Sequence, residues 1–219
     1  MRYLILALAL FAFNAEAAPE QSTMAPQAPQ ANAIIAKNPA YAMAQKGDWI
    51  QGNPDAKVTV TEYASLSCPH CAVFNQTIFP EIQKKYIATN KIKFIYRDYP
   101  LNAPALRAGM VVHCTPENKR SEMLSKLYKT QDKWAFSKDF EINLQAVALE
   151  QGMTKKAFKK CLADKKVEET VVKSRMDGTQ ELSVAGTPTV FVNGERYNGV
   201  PDAAGLSAMI DKFLATPKP

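Results

Sequence analysis

Residues 57–71 read KVTVTEYASLSCPHC, and this stretch decides the fold. Lys57 to Tyr63 alternates and is rich in β-branched residues, the pattern of a strand. Beyond Cys71 the period changes: Phe74, Ile78, Ile82 and Tyr86 recur every four residues and would bury one stripe of a helix. Pro80 is expected to kink that helix without ending its apolar stripe. Lys91 to Tyr96 (KIKFIY) then reads as a second strand, so residues 57–96 form a strand–helix–strand unit, the seed of a parallel sheet.

The junction between strand and helix carries the chemistry. Cys68-Pro69-His70-Cys71 places Cys68 near a helix cap and Pro69 in the first turn, where a missing N–H costs nothing. The unpaired N–H groups there, with the helix dipole, stabilise a thiolate at Cys68, and His70 is positioned to add a hydrogen bond or a positive charge. Two intervening residues let Cys71, one turn on, close a small disulfide with Cys68. A stable thiolate is a good leaving group, so such a disulfide is readily passed to another thiol. The rival reading is metal binding. Zinc needs further ligands, and no second CxxC or HxxxH supplies them. Two thiolates suit Cu(I), yet the eight Met residues form no Met-rich loop.

Working outward, residues 103–182 read as helical throughout. Leu106, Met110 and Cys114 share one face, and Leu124, Leu127 and Tyr128 another; Leu144, Val147 and Ala148 follow. Gly152 is a stop and Thr154 the next cap, and Val167, Val171 and Leu182 mark a last long helix. Thr189–Val192 returns as a strand, Asn193-Gly194 gives a two-residue hairpin turn, and Glu195–Tyr197 is its partner. Asp202 caps a terminal helix carrying Leu206, Met209, Ile210, Phe213 and Leu214. The order is a β–α–β half, a helical stretch, then a β–β–α half.

The 219 residues are 47% apolar and 22% charged, enough for one globular domain with a real core and too polar for a multi-span membrane protein. Net charge +6 is mild, and sequence pI ≈ 9.0 alone does not make a nucleic-acid binder. No Gly-rich phosphate loop is present, and no cofactor is expected. Met1-Arg2, the apolar run Tyr3–Phe13 and Ala15-Glu16-Ala17 form a signal-peptide pattern over residues 1–17. The run reaches only about 16 Å as a helix, half a bilayer core; an uncleaved buried helix is the alternative. Residues 18–45, of which 17 are Ala, Pro or Gln, read as a tether. Ile34 and Ile35 offer a short helix within it, with an oligomerisation segment over 31–45 as an alternative to the expected monomer.

Gly52–Ala56 (GNPDA) followed by Val58–Cys71 resembles the DsbA-type thiol oxidoreductases of the bacterial periplasm, and Gly186–Gly194 (GTPTVFVNG) resembles the second signature of that thioredoxin-fold family. The likeness covers residues 47–214. It implies an α/β thioredoxin fold over 46–102 and 183–219 with an inserted helical domain at 103–182. It implies Cys68 as nucleophile, Cys71 as resolving cysteine, His70 as stabiliser of the Cys68 thiolate, and Thr187-Pro188 as the cis-proline loop that binds substrate backbone. Glu62 matches the family's buried acid that assists proton transfer to the resolving cysteine; read without the resemblance, it is a solvated strand carboxylate. Lys91 is a loose match to the lysine that pairs with this acid. The implied partners are exported client proteins with free thiols and a DsbB-like membrane reoxidant. By the same resemblance, Thr187 before the proline is a choice often seen in disulfide isomerases and in some oxidases of the family, whereas Pro69-His70 favours an oxidase. An oligomeric isomerase or reductase, and a non-catalytic Cu(I) or holdase module, are the alternatives.

Cys114 and Cys161, in the helical stretch, both fall on inward faces. In an oxidising compartment they are expected to form a structural disulfide clamping two helices, with two separately buried thiols as the alternative. Between Glu117 and Arg175 stand 14 Lys+Arg and 9 Asp+Glu, most of the net charge. This is a solvated helix surface on the plain reading and a steering patch on the other.

Overall fold

The computed structural model describes residues 38–216. The signal segment expected over residues 1–17 and the tether through residue 37, with Ile34 and Ile35, lie outside the described residues.

Five strands form one mixed sheet: β1 (Ile50–Gly52), β2 (Val58–Ala64), β3 (Ile92–Asp98), β4 (Thr189–Val192) and β5 (Glu195–Arg196), in the order β1-β3-β2-β4-β5. β2 and β3 run parallel, with Glu62 beside Tyr96 and Ala64 beside Asp98, while β4 adds antiparallel on the other side, with Val190 beside Glu62. Asn193 and Gly194 both have positive φ, 48° and 84°, as the hairpin between β4 and β5 requires. All seven residues of β2 are buried. Its alternation is that of a central strand covered on both faces: Val58, Val60 and Ala64 enter the main core, and Thr61 and Tyr63 point to the other layer. The three-residue β1 is too short to show a pattern in sequence.

The helical run after β2 comprises α1 (Pro69–Val73), a π turn (Phe74–Ile78), α2 (Phe79–Ile82) and a second π turn (Gln83–Ile87). Pro80 has no N–H for the preceding turn, and the wider π turns on either side carry the run through it. Phe74, Ile82 and Tyr86 are buried as expected. On the same sheet face lies α9 (Ala203–Ala215), started by Asp202, whose side chain accepts from Gly205 N–H at 2.9 Å; Leu206 and Ile210 fill the core.

Between β3 and β4 stand α3 (Ala103–Cys114), α4 (Glu117–Lys129), α5 (Gln131–Trp134), α6 (Phe140–Glu150), α7 (Lys155–Leu162) and α8 (Lys165–Leu182). Thr154 caps α7 by accepting from Ala157 N–H at 3.1 Å. Lys155, Lys156, Lys159 and Lys160 on that helix are solvent-exposed. Cys114 and Cys161 are joined as a disulfide between α3 and α7, with Cα atoms 6.0 Å apart.

Two of the segments read from sequence pack against the sheet. The insertion expected to end at Leu182 shares its last helix with the sheet. Gly178 of α8 lies against the Tyr63 ring, where an added Cβ would stand 2.8 Å from Cε1. Leu182 and Val184 pack with Tyr63 and Phe191, and the Tyr99 hydroxyl donates to Val184 O at 2.9 Å. The described end of the expected tether, residues 38–45, does the same. Ala42 is buried, its carbonyl accepts from Thr61 Oγ1 at 2.7 Å, and Arg97 donates to the carbonyls of Tyr41 and Met43. Arg97 also pairs with Asp48 at 2.6 Å, so residues 38–48 are held against the α8 side of the sheet. Ala-rich composition hid this because the contacts are made by backbone carbonyls, which any residue supplies.

Candidate active site

β2 ends at Ala64, and the turn Ser65–Ser67 delivers Cys68 to the N-cap of α1 with φ −85° and ψ 121°. Pro69 occupies the first turn, as its missing N–H allows. Cys68 and Cys71 are unbridged and both buried, Cys71 completely. Opposite them, the Thr187–Pro188 peptide bond is cis, and Cys68 Sγ lies 3.3 Å from Thr187 O. The fold thus brings Cys68, Cys71, Thr187 and Pro188 together from segments over a hundred residues apart.

The two sulfurs are unequal. Cys68 is lowered to about 5, first by the hydrogen bond from the Cys71 thiol, then by the Thr187 side chain and the backbone N–H groups of Cys71 and His70. The Thr187 hydroxyl is buried with no hydrogen-bond partner among the described residues, which leaves it free to donate to a Cys68 thiolate. Burial is the main force pushing the Cys71 thiol far up; Cys68 and the charge of Glu62 add to it. An outer thiolate therefore sits beside an inner thiol. His70 contributes differently from expectation. Its ring is exposed and makes no hydrogen bond to Cys68 among the described residues, while its backbone N–H reaches the sulfur.

Glu62 lies on the β2 face beneath α1 and is buried, which corrects the solvated-carboxylate reading. Its Oε1 has no hydrogen-bond partner among protein atoms. Burial, then the charge of Cys68, pushes its carboxyl up to about 8, so at neutral pH it holds a proton within Coulomb reach of Cys71. Lys91 does not pair with it. Lys91 is exposed and precedes β3, whereas the register sets Tyr96 beside Glu62. The Tyr96 and Tyr128 hydroxyls, 3.3 Å apart and buried, form the polar surroundings there instead. Tyr128 looked like ordinary core in sequence, and nothing in its spacing set it beside the site. Gln131 of α5 likewise reaches the Cys68 turn from the insertion. No cluster of three or more metal-ligating side chains occurs among the described residues.

A sheet of this order, with a cysteine pair at a helix N-terminus facing a cis-proline, defines a thioredoxin-type redox protein. The thioredoxin family model matches residues 44–212, and the chain belongs to that family. Within it, the chain stands with the DsbA-like protein-disulfide oxidoreductases. It is 36% identical to a Rickettsia bellii protein described as a protein-disulfide oxidoreductase, over 79% of this chain and 67% of that one. It is 28% identical to disulfide bond formation protein D of Bacillus subtilis, over 77% and 78%. Among solved structures it is similar to alpha-DsbA1 of Wolbachia pipientis, with TM-score 0.75 and 27% identity over 81% of this chain and 96% of that one. Against the rickettsial relatives the chain spans between 61% and 72% of their length.

Proposed function

We propose that the chain is a disulfide donor for exported proteins, working in the periplasm after removal of residues 1–17. A client thiolate attacks Cys68 Sγ of the Cys68–Cys71 disulfide. The S–S bond breaks, a mixed disulfide forms at Cys68, and Cys71 leaves with a proton supplied through Glu62. A second client thiolate then attacks the client sulfur of the mixed disulfide and expels Cys68 as a thiolate. The client dithiol is oxidised by two electrons and the Cys68–Cys71 pair reduced. A DsbB-like membrane partner restores the disulfide, and Thr187-Pro188 holds the client backbone during exchange. Among the described residues no helix is long and apolar enough to cross a membrane.

The observation that carries this reading is the split between the two sulfurs, Cys68 lowered to about 5 and Cys71 raised. A stabilised thiolate favours the reduced pair, which makes the disulfide oxidising and Cys68 a good leaving group. The test is the equilibrium of the Cys68–Cys71 disulfide with glutathione, together with oxidation of a reduced, unfolded client. An oxidase takes electrons from glutathione at equilibrium and loses client oxidation in Cys68→Ser. A disulfide more reducing than the glutathione pool would overturn the proposal and favour a reductase.

A further inference from the structure

The turn that presents Cys68 is held from outside the sheet domain. Its own backbone closes one bond, Cys68 N–H to Ser65 O at 3.0 Å, and Cys68 O receives the first helical bond from Ala72 N–H at 3.1 Å. The side chain of Gln131, from α5 of the insertion, crosses to the same turn. Its Nε2 donates to Leu66 O at 2.7 Å and to Cys68 O at 3.1 Å. Gln131, Leu66 and Cys68 are all buried. Both partners are carbonyl oxygens, so only the amide nitrogen can face them, and its two N–H groups are both used. Without that amide, Leu66 O would lose a strong donor in a place water does not reach.

We propose that Gln131 is a positioning residue for disulfide exchange: by fixing the Leu66 and Cys68 carbonyls it holds the turn so that the N–H groups of His70 and Cys71 stay aimed at Cys68 Sγ. The inference rests on Cys68 being the exchanging thiol. Gln131 touches neither sulfur and acts through the backbone between them. Two effects of its removal have the same sign. The N–H groups that stabilise the thiolate lose their fixed aim, and the Cys68 carbonyl, left with the Ala72 N–H as its one donor, presents a less neutralised negative end to the turn. Each disfavours the thiolate and hence the reduced pair, so the disulfide becomes a weaker oxidant. The insertion, on this view, sets redox strength as well as covering the site.

The experiment uses the full mature chain with Gln131→Met, which removes the donors at similar volume, and Gln131→Asn, which keeps the amide but shortens its reach. Two quantities are read for each and for the wild type: the Cys68 titration midpoint, from thiolate ultraviolet absorbance, and the equilibrium constant for reduction by glutathione. Both variants should raise the midpoint by about one unit and lower the constant about tenfold, equivalent to about 30 mV for a two-electron couple. A folded variant whose midpoint and constant stay within twofold of wild type overturns the inference, and either variant alone decides if the other does not fold. The wild-type values themselves test the oxidase reading, whereas only the ratio of variant to wild type tests the role of Gln131.

Discussion

Replacing Glu62 with Gln removes a buried group that must ionise as pH rises, and the cost of that ionisation follows from its surroundings. In the unfolded chain the carboxyl titrates at its ordinary value of 4.5; in the fold it is pushed up to about 8, chiefly by burial. Below pH 4.5 both states carry the proton and Glu62 costs nothing. Between the two values the folded state keeps a proton that the unfolded state has released, so stability falls as pH rises, and the fall is complete above pH 8. At 1.36 kcal/mol per unit, raising the pH from 5 to 8 costs the folded state about 3 kcal/mol. Glu62→Gln is near-isosteric and cannot ionise, so it should escape that loss. Urea unfolding of oxidised wild type and variant, disulfides intact, measures the difference at the two pH values. Closure of Cys68–Cys71 removes the smaller cause, the Cys68 charge, and leaves burial, so about 2–3 kcal/mol of relative stabilisation is expected at pH 8 over pH 5. Comparing two pH values cancels any constant penalty for burying an amide. A variant that gains nothing between pH 5 and pH 8 would refute the claim that burial holds the Glu62 proton.

Cys68 should react with iodoacetamide along a titration curve centred near 5, while Cys71 stays unreactive at neutral pH; a Cys68 midpoint above 8 contradicts the thiolate geometry. Cys114→Ala with Cys161→Ala opens a bridge between residues 47 apart and should cost about 4 kcal/mol in the chain-entropy model, leaving glutathione exchange at Cys68 unchanged. Calorimetry giving a loss under 1 kcal/mol would show that the bridge does not restrain the unfolded chain. Gly178→Ala gains helix propensity of up to about 1 kcal/mol but forces a methyl to 2.8 Å from the Tyr63 ring, and overpacking of about 1–3 kcal/mol should win. A raised Tm would mean that Tyr63 moves aside freely. Arg97→Met removes the guanidinium that pairs with Asp48 and donates to the carbonyls of Tyr41 and Met43, so residues 38–48 should be cut by protease far faster than in the wild type, with about 3–5 kcal/mol lost. Unchanged cleavage would show that other contacts hold this segment.

Local features were legible where the chain states them locally. The strand before Cys68, the caps at Thr154 and Asp202, and the Asn193-Gly194 turn are each written in a few adjacent residues, and each appears where expected. Partnerships were not. The resemblance alone offered Lys91, as a loose match, for a neighbour of Glu62; the parallel register brings Tyr96 there instead. His70 lies within the motif and so invited a role for its ring, but the helix N-terminus offers the sulfur His70's backbone N–H while the ring stays exposed. Thr59 and Thr61 alternate with apolar residues along the strand, yet both are buried, and the Thr61 hydroxyl donates to Ala42 O at 2.7 Å.

By itself the sequence determined that a cysteine pair would sit at a strand-to-helix junction, with Pro69 admitting it to the first turn, in a chain divided into two sheet-bearing halves by helices. Those properties depend on residues a few positions apart, whose geometry the backbone sets. A stabilised Cys68 thiolate was legible at the helix N-terminus, but only the tertiary structure decided how far the two sulfurs differ. It depends on burial of Glu62 and Cys71, on Thr187 arriving 119 residues along the chain, and on Gln131 arriving from the insertion. Desolvation and hydrogen bonding are properties of what surrounds a group in space, and the closed fold alone assembles those surroundings.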